Sequence, residues 1–228
     1  PRLGRRQRLG SEVPNSDLTE ALLVAAGYLL GSMPWGYWLP RLVAGVDIRR
    51  VGSGNTGATN VWRAVGFKLA IAVAFLDIGK GVAAALLGRW LGDDLVGVLA
   101  GVAAMVGHWR PLFMGFTRGG KTVATTGGVG LALAPLATLS AAGVWIAIFL
   151  VTRYASVASI AAAVTLPLFA LAFDASWPVV AFTAGAAVAI IGLHRTNIMR
   201  LYRGTENRFE LPAVRARLRR RVRREASL

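Results

Sequence analysis

Cysteine is absent from the 228 residues, which excludes thiolate catalysis, disulfides and cysteine-ligated metals. Charge is scarce as well. Asp, Glu, Lys and Arg make up 16% of the chain, against about 25% in an ordinary soluble domain. Histidine is limited to His108 and His194, too few to build a metal site, so neither metal nor other cofactor is expected. No internal repeat or low-complexity segment stands out.

Apolar residues fill the space left by these absences. They make up 55% of the chain, and mean hydropathy is +0.54. They fall in long blocks such as LTEALLVAAGYLLGSMPWGYWL and LVGVLAGVAAMVG rather than in amphipathic stripes. A helix needs roughly 20 apolar residues to cross a bilayer core. The composition therefore predicts an all-α, polytopic membrane helical bundle. The formal charge of +15 collects at the chain ends and between the blocks, where membrane topology places it.

The spans read as Leu18–Leu39, Phe67–Leu91, Leu95–Phe116, Val123–Val151, Ala155–Phe173 and Trp177–Leu193. The stretch Val123–Val151 is long for one span and contains Pro135. Splitting it there gives seven transmembrane helices and puts three polar segments on one face. That face then holds Arg41, Arg49, Arg50, Arg63, Lys68, Arg110, Arg118, Lys121, Arg153 and every arginine from Arg195 onward. The positive-inside rule makes it cytoplasmic; the basic N-terminal tail, on the other face, dissents. The expected organisation is a basic tail over 1–17, a seven-span catalytic membrane domain over 18–209, and an arginine-rich cytoplasmic tail over 210–228.

The first polar segment, GSGNTGATNVWR, runs from Gly52 to Arg63. Gly52, Gly54 and Gly57 can turn successive backbone N–H groups toward one point, the geometry of an anion nest. Ser53, Asn55, Thr59 and Asn60 add neutral hydrogen-bonding groups, and Arg63 adds a fork suited to phosphate. A bare turn between helices needs only a few residues and not this many small polar ones. The second segment, GFTRGGKTVATTGG, contains Gly119, Gly120, Lys121 and Thr122. It formally matches a nucleotide P-loop from Gly115, but that motif requires a preceding strand. What survives is a lysine and backbone amides at a helix start, which attract phosphate. The third segment, HRTNIMRLYRGTENRF, carries His194 and Asn197 at helical spacing, and Glu206. Arg203 and Arg208 fit a snorkelling border equally well. His108 precedes the second segment on the same face.

SGNTGATNVWR, the pairing of GHW.P with GGK.VAT, and HRTNIMRLYRGTENRF resemble three signature segments of the bacterial acyl-phosphate:glycerol-3-phosphate acyltransferases. GSMPWGYWL and DIRRVG resemble that family's first span and its lead-in, so the likeness extends from about Gly31 to Phe209. Two positions depart: the family usually has glycine where Thr122 stands and an aromatic residue where Arg110 stands. The resemblance implies a multi-pass enzyme of the bacterial inner membrane, active on its cytoplasmic side. It implies acyl transfer from acyl phosphate to the primary hydroxyl of glycerol-3-phosphate, giving lysophosphatidic acid and phosphate in phospholipid synthesis. It places catalytic roles on Ser53, Arg63, Lys121, His194 and Asn197. Substrate contacts are expected from Gly52, Gly54, Asn55, Gly57, Thr59, Asn60, Gly119, Gly120, Thr122, His108 and Glu206.

Such chemistry suits these residues. Acyl phosphate is already activated, so the site need only neutralise phosphate charge and align a hydroxyl. Ser53 then reads as a hydrogen-bonding ligand rather than an acylated nucleophile. The competing reading is a transporter for an anionic solute, with intramembrane Asp77 and Lys80 on its pathway; their spacing on one helical face favours a structural ion pair instead. Nucleic-acid binding rests only on RARLRRRVRR, which lacks interleaved aromatics and suits anionic lipid. The expected partners are the two phosphate substrates and membrane lipid, with no nucleic acid and no protein partner.

Overall fold

A computed structural model describes residues 16–209. The tail assignments for 1–17 and 210–228 lie, apart from Ser16 and Asp17, outside the described residues. Ten α-helices follow one another: α1 Ser16–Gly31, α2 Trp35–Ala44, α3 Ala58–Ala64, α4 Phe67–Leu91, α5 Asp94–Trp109, α6 Val123–Leu133, α7 Pro135–Thr152, α8 Ala155–Ala172, α9 Trp177–Leu193 and α10 Arg195–Tyr202. Two 3-10 turns, Ile48–Arg50 and Leu112–Met114, complete the set, and no strand occurs among the described residues.

Four stretches are long and apolar enough to cross a bilayer: Phe67–Leu91, Asp94–Met114, Pro135–Thr152 and Ala155–Ala172. The α9–α10 pair, bent by 55°, would be a fifth. Large apolar side chains such as Phe75, Leu150, Trp177 and Val188 point outward and are exposed. In lipid such a surface is solvated, while every helical backbone bond is satisfied internally.

Proline determines where helices stop, not always where the sequence suggests. The first span is expected to run unbroken from Leu18 to Leu39. Instead α1 stops at Gly31 and α2 starts at Trp35. Pro34 has no N–H to continue the ladder, and Ser32 and Met33 turn back onto the carbonyls of Tyr28 and Leu30. Pro40, the expected stop, lies inside α2, where it forfeits only the bond to the Gly36 carbonyl. In the third span α5 ends at Trp109, two residues before Pro111, and the span continues through the turn Leu112–Met114. At Pro135 the expected break is present. Ala134, pushed out of the helical region by the proline after it, adopts φ −145° and ψ 71° and separates α6 from α7. With 11 residues, α6 rises only about 16 Å, roughly half a bilayer core.

Small residues bring the helices close. A Cβ on Gly31 would fall 2.0 Å from the Ala104 carbonyl oxygen, and one on Gly128 would fall 2.0 Å from that of Ile78. These contacts join α1 to α5 and α6 to α4, the small-residue packing of membrane helices. Away from the polar segments, Arg89 pairs with Asp94 at 3.0 Å and Ser176 donates to Asp94 at 2.7 Å, fastening α4, α5 and the start of α9.

Candidate active site

The first polar segment is organised by one buried amide. Asn60 Nδ2 donates toward the carbonyls of Val51 at 2.9 Å, Asn55 at 3.0 Å and Ile48 at 3.3 Å. Its Oδ1 accepts from the Ser53 backbone N–H at 3.1 Å. Gly52, with φ +60°, passes so close that a Cβ would fall 2.4 Å from that Oδ1. Three N–H groups of the expected backbone nest are taken by the segment itself. The N–H groups of Ser53, Gly54 and Gly57 bond to Asn60, Val51 and Asn55. Those of Gly119 and Gly120 bond to the carbonyls of Trp109 and His108. Local turns take up these five donors.

The second segment has no strand before it and so is no P-loop. Thr122 caps α6 in the left-handed region at φ 62°, a conformation natural to glycine and strained for a β-branched residue. This is the position where the resembling family usually has glycine. Arg110, the other departure, rests its guanidinium 5.0 Å over Trp109, and its carbonyl accepts from Tyr28 Oη at 2.9 Å.

The third segment closes the site. At the bend after α9, His194 is buried, and its Nδ1 donates to the Ile190 carbonyl at 2.8 Å. A carbonyl can only accept, so Nδ1 carries the proton and Nε2 keeps a lone pair. Lys121 Nζ donates to Asn197 Oδ1, and Asn197 Nδ2 donates to Glu206 Oε1 at 2.7 Å. Glu206 also accepts from Ser156 Oγ at 2.9 Å and from Arg200 Nε at 2.7 Å. Arg63 donates to the Asn207 carbonyl at 3.0 Å, with its guanidinium 4.4 Å over the Phe209 ring.

All three segments line one cavity of about 520 Å³. Ser53, Asn55, Gly57, Thr59, Asn60, Arg63, Lys121, Thr122, His108, His194, Asn197 and Glu206 lie on its wall, whereas Gly52, Gly54, Gly119 and Gly120 do not. Gly52 and Gly54 shape turns at positive φ, and Gly119 and Gly120 give room to His108. The cavity continues inward among Phe67, Ile71, Ile78, Leu131, Trp145 and Leu166. Sequence reading missed Ser156 and Arg200, also on the wall; Arg200 stands in the third segment, but nothing in the sequence marks Ser156.

Charge at this mouth is unbalanced. Arg63, Lys121 and Arg200 surround one carboxylate, Glu206. Burial pushes the Glu206 carboxyl up, but its bonds from Arg200, Asn197 and Ser156 outweigh this and hold it below its ordinary value. Burial draws the Lys121 ammonium down to about 8 and Arg63 down from its ordinary value. An anion bound beside these two cations would favour their charged forms. Asp77 and Lys80, by contrast, pair at 2.9 Å inside the bundle as a structural ion pair, which removes the main support for a transport pathway. Among the described residues no cluster could hold a metal ion.

A helical bundle with apolar spans and a cation-rich mouth over an apolar chamber defines a membrane-embedded enzyme acting where a polar anion meets a lipid chain. The pattern of the Glycerol-3-phosphate acyltransferase family matches residues 21–204, and the chain belongs to that family. A relative from Desulforudis audaxviator, named glycerol-3-phosphate acyltransferase, is 45% identical over 85% of this chain and 98% of its own. One of the same name from Geobacter sulfurreducens is 46% identical over 85% of this chain and 99% of its own. The crystal structure of PlsY, an integral membrane glycerol 3-phosphate acyltransferase, in its glycerol 3-phosphate form aligns with TM-score 0.82 and 42% identity. It covers 86% of this chain and 98% of that one. The lysophosphatidic acid form aligns with TM-score 0.79 and 41% identity.

Proposed function

We propose that this enzyme transfers an acyl chain from acyl phosphate to the primary hydroxyl of glycerol-3-phosphate, releasing lysophosphatidic acid and phosphate. The observation that carries the reading is the set of three cations, Arg63, Lys121 and Arg200, around a single carboxylate at the mouth of an apolar cavity. Both substrates bring phosphate to that mouth, and one brings an alkyl chain for the chamber below. The names of the relatives supply glycerol-3-phosphate as acceptor, and the acyl-phosphate donor rests on the sequence motifs.

In the reaction the hydroxyl oxygen bonds to the acyl carbon, and the bond from that carbon to the phosphate oxygen breaks. Lys121 and Arg63 stabilise the charge gathering on the departing phosphate, an electrostatic contribution made before the reaction begins. His194 Nε2 accepts a hydrogen bond from the attacking hydroxyl and aligns it, and the departing phosphate carries the proton away. Asn197 and Glu206 fix the Lys121 ammonium, and Ser53 is a neutral ligand to phosphate. Purified protein is assayed with acyl phosphate and glycerol-3-phosphate, and with acyl-CoA as alternative donor. Turnover with acyl phosphate alone is expected; equal turnover with acyl-CoA overturns the donor assignment.

The proposed topology is seven spans, with the three polar segments cytoplasmic in a bacterial inner membrane. The break at Pro135 and the sharing of one cavity by the three segments support it. The chain has no cysteine, so R50C and T196C can each be labelled alone at exposed positions. Labelling of both from the cytoplasmic side is expected, and labelling from opposite sides refutes the arrangement.

A further inference from the structure

Beneath the mouth, Asp77 and Lys80 of α4 and His108 of α5 are buried together. Lys80 Nζ lies 2.9 Å from Asp77 Oδ1 and donates to the Met33 carbonyl, in the break between α1 and α2, at 2.9 Å. His108 Nδ1 lies 3.4 Å from the same carboxylate oxygen. One carboxylate thus lies against both an imidazole and an ammonium that reaches a third element.

The other edge of the imidazole meets the second polar segment. A Cβ on Gly120 would fall 1.8 Å from His108 Nε2, and one on Gly119 would fall 2.2 Å from the His108 carbonyl oxygen. Neither glycine has a positive φ, so glycine is needed here for room and not for a turn. The carbonyls of His108 and Trp109 accept from Gly120 and Gly119 at 3.0 and 2.9 Å. The next residue is Lys121. Asp77 and His108 both reach the cavity wall, yet both are already engaged by protein groups, and a carboxylate there would repel phosphate rather than bind it.

We propose that Asp77 and His108 are positioning residues, and that the imidazole, held by the carboxylate, is the seat on which Gly119–Gly120 rests to aim Lys121 across the mouth at Asn197. Without the ring the segment settles inward or loosens, and the ammonium leaves the place where phosphate charge develops. A displacement of about 1 Å at such a group lowers turnover on the order of 10²-fold.

The test uses the full chain in detergent and two readouts. One is kcat/KM for glycerol-3-phosphate; the other is the pH at which the Lys121 amine becomes reactive to acetic anhydride, read by peptide mass. The other lysines, Lys68 and Lys80, lie in α4. In the wild type Lys121 is expected to become reactive near pH 8, with Glu206, Arg200, Arg118 and Arg63 as its charged neighbours and Asn197 as its bonded one. His108→Ala is expected to lower kcat/KM about 10²-fold and to move Lys121 reactivity toward the ordinary lysine range. Gly120→Ala, which drives a Cβ into the ring, is expected to cost a similar factor. The double variant should lose little more than either single one, as sites sharing a contact do. Losses that multiply in the double variant, or wild-type turnover and labelling in His108→Ala, overturn the proposal. Where His108→Ala does not fold, His108→Asn carries the same two readouts. The inference rests on the proposed acyl transfer only for its turnover arm. A wild type silent with acyl phosphate and glycerol-3-phosphate sinks that reading, while the labelling arm still judges the seat.

Discussion

The two charged clusters of this molecule keep opposite balances. In the bundle, Lys80 faces Asp77 one to one and His108 completes the set. At the mouth, Arg63, Lys121 and Arg200 gather around Glu206 alone. Both reach the same cavity, through Asp77 and His108 in one and through Arg63, Lys121, Arg200 and Glu206 in the other. A cluster that balances itself has nothing to gain from a ligand and holds helices together. A cluster with surplus cations is completed by an anion. Composition could not separate them, since each contains ordinary residues in a mostly apolar chain.

The contrast can be broken first at the balanced cluster. Lys80→Ala leaves a carboxylate buried without its partner, and such a loss costs about 3–5 kcal/mol. Unfolding in detergent is expected to occur far below the wild-type temperature. Replacing both partners with apolar residues, Asp77→Leu with Lys80→Met, should return most of that stability but not the turnover. At the mouth the pattern inverts. Lys121→Ala removes the charge-assisted contact proposed for phosphate, so kcat/KM is expected to fall by about 1.5–3 kcal/mol in free-energy terms, or one to two powers of ten. Its unfolding temperature should stay near wild type, and a large drop would place Lys121 with the structural cluster.

A smaller effect sharpens the same distinction by pH. Burial holds Lys121 at about 8, so its charged form is present below that pH and lost above it. For free enzyme, kcat/KM should therefore decline as pH rises through about 8, and Lys121→Arg should remove that decline because guanidinium stays charged. The smallest change is expected from Ser53→Ala. It deletes one neutral hydrogen bond at an exposed position, worth about 0.5–1.5 kcal/mol, and should raise KM for a phosphate substrate without altering stability.

Sequence made some of this legible and hid the rest for identifiable reasons. Apolar blocks marked the helices, and Pro135 marked a true break because the proline pushes Ala134 before it out of the helical region. Pro34 breaks the first span, and Pro40 does not. A proline ends a helix only where neighbouring carbonyls find other donors, which Ser32 and Met33 supply before Pro34. The glycine-rich segments signalled phosphate through both amides and side chains. Their amides serve the turns, and the side chains they carry, Arg63 and Lys121, face the cavity. Thr122 shows what its departure from glycine means, a left-handed residue at the start of α6. Ser156 was invisible because its importance exists only through Glu206, far away in the chain and 2.9 Å away in space.

The same long-range closure has a bearing on how the protein comes into being. Arg63 is held by the carbonyl of Asn207, 144 residues later, and Phe209 returns to the Arg153 carbonyl at 2.9 Å. A chain emerging N-terminus first can insert nearly all its spans while Arg63 still has no Asn207 and Lys121 no Asn197. The mouth is assembled by the last described stretch to be translated. A copy that stops short of His194–Phe209 lacks the groups that hold Arg63 and Lys121 at the cavity, and no turnover is expected from it.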